Sequence, residues 1–257
     1  MSKKEYANEV ARLVNGEVKE VEKANGAIFT GIMVDTGSTA KPTIYIDDMK
    51  ADGLTVEEAA AKVQEIAKKS AISVDLGFMT DWEAVKPMLR ARLYNKATKA
   101  DVFREAGNGF DDLVIIPYVE GVIKNGSCKV TNELIEKWNV TPDEVLSVAE
   151  ANSNDGTIQS MADMMKELGH PLPEGYDCPM YVVTNSNRMF GAYAILSKLD
   201  DLREIFPEGF TVLPSSVHEV IVVPADDLGF DSMVQDVNDT EVNITDQLSN
   251  HAYRIAA

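Results

Sequence analysis

Cysteine is nearly absent: Cys128 and Cys178 are the only two in 257 residues, with no CxxC spacing. That argues against a disulfide framework and against a structural zinc site. Histidine is as scarce, with His170, His218 and His251 only. No H-E-x-x-H and no paired-histidine spacing occurs, so a zinc hydrolase is not expected. Long apolar runs are also missing; nothing approaches the 18 residues of a membrane-spanning helix. Met1-Ser2-Lys3-Lys4-Glu5-Tyr6 is not followed by an apolar run of signal-peptide length, so a cytoplasmic location is expected. There is no G-x-x-x-x-G-K. Gly107-Asn108-Gly109 starts a G-x-G but runs into Asp111 and Asp112, which would repel a pyrophosphate. Ala151 and Ala162 occupy the end positions of the loop around Gly156, so it fails as a calcium loop. No cofactor is expected.

Positive charge is short as well. The chain holds 24 basic against 42 acidic residues, a net charge of −18. The excess is uneven: residues 1–110 carry 16 basic and 17 acidic side chains, and residues 111–257 carry 8 and 25. This divides the chain into a near-neutral region, 1–110, and a strongly acidic one, 111–257, either as two domains or as one continuous domain. Such a field repels DNA and RNA, so direct nucleic-acid binding is not expected, nor is membrane association. Residues 86–104 run the other way, with Lys86, Arg90, Arg92, Lys96, Lys99 and Arg104 against Asp101 alone. Read as a helix capped by Asp81, this stretch places Arg92, Lys96 and Lys99 on one face, solvated or paired with the acidic region.

At 45% apolar and 26% charged residues, the composition is that of an ordinary globular protein. Capping boxes at Ser2/Glu5 and Thr55/Glu58, and a Thr141-Pro142-Asp143-Glu144 start, announce helices. Apolar stripes at Ile158/Met161/Met165/Leu168, Leu199/Leu202/Ile205/Phe206 and Phe230/Met233/Val234/Val237 predict three more. Strands are expected at 27–34, 43–46, 113–119, 180–183, 192–196 and 220–223, with a hairpin turn at Asn125-Gly126. Helices and strands do not alternate regularly. The expected class is α+β, with mixed or antiparallel sheets packed against several amphipathic helices.

One segment offers nucleophilic chemistry. Leu213-Pro214-Ser215-Ser216-Val217-His218-Glu219 brings two hydroxyls, an imidazole and a carboxylate together just before a strand. Ser216 and His218 would point to the same face of an extended chain, yet about 6.6 Å apart at Cα. G-x-S-x-G is absent, so no strained elbow exposes a serine. The competing account is a turn with a capping serine and a hydrogen-bonded histidine.

The set Gly31-Ile32-Met33-Val34, Pro42-Thr43-Ile44-Tyr45-Ile46-Asp47, Met180-Tyr181-Val182-Val183-Thr184-Asn185, Gly191-Ala192, Leu213 to Val220 and Met233-Val234-x-x-Val237-Asn238 resembles a bacterial domain-of-unknown-function family of gut anaerobes and their mobile elements. The resemblance covers nearly the whole chain and carries no known activity, so it assigns no catalytic residue. The family's Tyr-x-Tyr-Asp-like tail is replaced here by His251-Ala252-Tyr253-Arg254-Ile255.

The expected function is that of a non-catalytic acidic binding protein, an inhibitor, immunity protein or nucleic-acid mimic acting on a basic protein partner. Asp226, Asp227, Asp231, Asp236, Asp239 and Glu241 are the expected partner-binding residues. The alternative is a hydrolase-like enzyme using Ser215, Ser216, His218 and Glu219.

Overall fold

Ser2 opens the first helix as expected. Its hydroxyl accepts from Glu5 N at 3.2 Å while the Glu5 carboxylate accepts from Ser2 N at 2.8 Å. The computed structural model describes residues 1–38, 40–71, 75–123, 126–173, 175–176, 178–225 and 229–257. The chain divides into two compact units, residues 1–77 and 78–257. The charge boundary at residue 110 falls inside the second. By unit, residues 1–77 hold 10 basic and 13 acidic side chains, and residues 78–257 hold 14 and 29.

The first unit is α1 (Lys3–Val14), β1 (Glu17–Glu22), β2 (Ile28–Met33), β3 (Thr43–Tyr45), α2 (Asp47–Ala51) and α3 (Val56–Lys69). The strands form an antiparallel sheet in the order β1-β2-β3. Asn15, in the left-handed region at φ 51°, ends α1. Helix α3 starts on a second capping box, Thr55 with Glu58. Tyr6, Ala7, Val10, Ala11 and Val14 of α1 recur at helical spacing and meet Ala59, Ala60, Val63 and Ala67 of α3 in one buried cluster with Ile32, Ile44 and Ile46. Alanines on α3 let the two helices approach closely.

The second unit comprises α4 (Trp82–Val85), β4 (Leu89–Asn95), β5 (Arg104–Glu105), β6 (Leu113–Glu120), β7 (Ser127–Lys129), α5 (Asn132–Trp138), α6 (Pro142–Asn152), β8 (Gly156–Ser160), α7 (Met161–Glu167), β9 (Tyr181–Asn185), α8 (Ala194–Ser197), α9 (Leu199–Ile205), β10 (Phe210–Leu213), β11 (Val220–Pro224), α10 (Phe230–Thr240) and β12 (Tyr253–Ile255). One antiparallel sheet runs β12-β10-β11-β9-β8; the other runs β4-β6-β5, with β7 also on β6. Three antiparallel sheets with helices make the protein α+β.

Three expectations fail here, each for a local reason. The helix expected after Asp81 stops at Val85, and a 3-10 turn over Lys86–Met88 leads into β4. Pro87 cannot continue a helix, and Leu89-Arg90-Ala91-Arg92-Leu93-Tyr94 alternates with the period of a strand. Arg92, Lys96 and Lys99 therefore share no helical face: Arg92 is buried in β4 and Lys96 follows it in a turn. Arg92 pairs with Glu120 at 2.9 Å and Arg104 with Glu150 at 3.0 Å, so part of the basic stretch is neutralised by acids of the same unit. Residues 192–196, expected as a strand, form a 3-10 turn (Gly191–Tyr193) followed by α8. Ile195 is their only β-branched residue, and alanine-rich sequence favours helix. Ile158 belongs to β8, not to the helix, because Ser160 caps α7 through Asp163 N at 3.1 Å. Hairpin pairing of β6 with β7 occurs, Glu120 facing Ser127, but Asn125 of the expected turn lies outside the described residues.

Candidate functional site

The segment Pro214–Glu219 joins β10 to β11, whose register pairs Leu213 with Ile221. Within it the four singled-out residues do meet. Ser216 Oγ donates to Glu219 Oε1 at 2.9 Å and accepts from His218 N at 3.0 Å. Ser215 Oγ donates to the Glu219 carbonyl at 3.1 Å. Both hydroxyls are thus used to close the turn. The His218 ring points elsewhere: its Nδ1 accepts the Phe190 N–H at 3.1 Å, and the two rings lie 5.1 Å apart. With Nδ1 accepting, the neutral imidazole carries its proton on Nε2. The His218 carbonyl also accepts, from Thr184 Oγ1 at 2.7 Å and Gly191 N at 3.0 Å. This segment is a brace for the corner at Phe190 and Gly191.

That corner is strained. Phe190 stands in the left-handed region, φ 53° and ψ 32°, which costs a bulky residue about 1–3 kcal/mol. Gly191 follows because nothing larger fits: a Cβ there would lie 2.5 Å from Asn185 N and 2.3 Å from Thr184 Oγ1. The result is a phenyl ring 3.6 Å from the Arg92 guanidinium carbon. Tyr118 approaches the same carbon at 4.3 Å, as the diagonal neighbour of Arg92 across the β4–β6 ladder. Arg92 is only 4% exposed. Its Nη2 donates to Glu120 Oε1 at 2.9 Å, and its Nε is buried with no partner among the described residues. A cleft of about 550 Å³ opens beside it, lined by Arg92, Glu120, Gly121, Gly126, Ser127, Asn187, Met189 and Phe190. Sequence reasoning missed Arg92, Glu120 and Phe190 as a group; the alternation of β4 was the one available signal.

The acidic residues gather on and around α10. Asp226 and Asp227 lie outside the described residues. Asp231, in the first turn of α10, accepts from Ala252 N at 2.8 Å. Asp236, Asp239 and Glu241 are exposed. At about 100° per residue, Asp231, Asp236 and Asp239 span one arc of the helix, and Met233, Val234 and Val237 lie on the remaining face. Val234 is buried, but Met233 is 53% and Val237 37% exposed. These two border an apolar cavity of about 110 Å³ completed by Met180, Leu213, Pro214 and Ile221. Asn238 lines the same cavity, and its Oδ1 is buried without a partner among the described residues.

A further polar group centres on Asp112, which accepts from Tyr253 OH at 2.5 Å, Ser249 Oγ at 2.9 Å and Asn95 Nδ2 at 3.0 Å. His251 Nδ1 lies 3.0 Å from Ser249 Oγ, which gives the outline of a serine–histidine–aspartate set. In this arrangement, however, the Ser249 hydroxyl donates to Asp112, which leaves His251 Nδ1 as a donor to the serine oxygen and not as its base. The group fastens β12 and the residues before it to Asp112.

No curated protein and no solved structure matches the chain. A family model does match, over residues 3–255, and the chain belongs to that family, the family of unknown function DUF5688.

Proposed function

We propose that the protein is a non-catalytic acidic binding protein whose α10 surface engages a basic protein partner. The observation that carries this reading is the pairing, on one helix, of an exposed acidic arc with an open apolar cavity. Asp236 and Asp239 stand on the arc; Met233 and Val237 border the cavity. A basic amphipathic segment satisfies both at once, placing an apolar side chain in the cavity and its cations over the acids. An acidic background of 29 acids against 14 bases in residues 78–257 steers such a partner inward.

The geometry at His218 supports binding over hydrolysis. Its ring bonds the Phe190 amide, while the Ser216 hydroxyl is directed at Glu219. A nucleophile needs its base within hydrogen-bond reach.

Capture from host lysate with the wild-type chain and with an Asp236→Lys/Asp239→Lys chain tests the reading. The expected result is a stoichiometric basic protein held by the wild type at low salt and lost by the variant. Equal retention of the same proteins by both chains would overturn it.

A further inference from the structure

We propose that the cleft at Arg92 is a small-molecule site for a free α-amino acid with an apolar side chain. The inference rests on the geometry of one buried ion pair and is independent of the α10 surface.

A guanidinium at 4% exposure, set against Phe190 and Tyr118, is fixed in place before any ligand arrives. Among the described residues, Glu120 engages Nη2 and the buried Nε has no partner. A buried donor left unpaired is costly and calls for a functional explanation. Arg92 lines a cleft of about 550 Å³, within the range of roughly 300–1,000 Å³ typical of small-ligand pockets.

The charges in the cleft select the ligand. Arg92 and Glu120 stand 2.9 Å apart, one cation beside one anion. A plain anion drawn to Arg92 meets the Glu120 carboxylate; a plain cation drawn to Glu120 meets Arg92. A zwitterion carrying both charges on neighbouring atoms avoids each conflict. Its carboxylate pairs with the guanidinium where Arg92 lines the cleft, and its ammonium takes Glu120, whose side chain is one-third exposed. Met189 and Phe190 supply an apolar wall for the rest of the molecule. The strain at Phe190 has a purpose on this account, since the left-handed corner is what lays the ring on the guanidinium.

Calorimetric titration of the full chain with L-leucine, L-methionine and L-phenylalanine tests the proposal, with the N-acetyl and the carboxamide form of each alongside. At least one free amino acid should bind, and both of its blocked forms should bind about tenfold more weakly or worse. Glu120→Gln leaves the buried Arg92 cation without its counter-ion and should melt earlier, but well below its own unfolding midpoint it should still lose about as much binding. Arg92→Lys keeps the charge but not the planar donors, and should also weaken binding. No heat from any of the three at millimolar concentration would overturn the proposal. So would an N-acetyl form that binds as well as its parent, which would make this a simple carboxylate site.

Discussion

The Phe190 backbone N–H donates to Nδ1 of His218 at 3.1 Å, and this bond joins the β10–β11 connection to the wall of the Arg92 cleft. His218 is a positioning residue in this arrangement. It holds a left-handed phenylalanine through its ring, and Thr184 and Gly191 through its carbonyl.

His218→Ala removes the acceptor for a half-buried amide and should destabilise the second unit by about 1–2 kcal/mol. His218→Asn keeps an acceptor oxygen near the place of Nδ1 and should recover much of that loss. Urea denaturation of the two variants checks the order. Equal losses would show that the ring contributes by packing alone.

Gly191→Ala should be worse than its one methyl suggests. The added carbon would fall 2.5 Å from a backbone nitrogen of β9, which cannot step aside as a side-chain tip does. A cost of about 1–3 kcal/mol is expected. At Gly229 a Cβ meets nothing within 4 Å, so Gly229→Ala should stay close to the wild type in the same melting experiment.

What sequence alone revealed divides along the range of the interactions. Caps at Ser2/Glu5, Thr55/Glu58 and Thr141 are contacts three residues apart, and each lies where it was expected. The expected strands at 27–34, 43–46, 113–119, 180–183 and 220–223 are present too, because β-branched runs and flanking turns are local signals. Failure came where two local signals competed. Asp81 does cap a helix, but Pro87 ends it within two turns, and the alternation that follows puts Arg92 in a strand core, a place arginine seldom occupies. The strands β1, β8, β10 and β12 were not expected; in β1, four charged residues among six left Val18 and Val21 as the only β-branched signal. The Arg92 cleft was illegible for a different reason: Phe190 and His218 lie 28 positions apart, and neither residue type advertises the other.

Alkaline pH should unfold the second unit early. Burial, above all, raises the phenols of Tyr118, Tyr193 and Tyr253; Tyr193 is pushed up to about 12, and the Asp112 carboxylate adds to the effect at Tyr253. In the unfolded chain these groups release their protons near pH 10. Between that value and the folded pKa the unfolded state binds fewer protons, so stability falls as pH rises. Below pH 10 the contribution is fully present. Denaturation midpoints should drop progressively from about pH 10 upward, and Tyr253→Phe, though less stable at neutral pH, should show the shallower decline.

The most direct test of the central claim is the association rate of the captured basic partner with the purified chain, measured across ionic strength. Screening acts over about 8 Å at physiological salt, so an acid-steered encounter should slow steeply as salt is added. The Asp236→Lys/Asp239→Lys chain should start slower and show a flatter salt dependence. A wild-type rate that does not change with salt, or a variant that keeps the full wild-type slope, would contradict the assignment of the α10 surface.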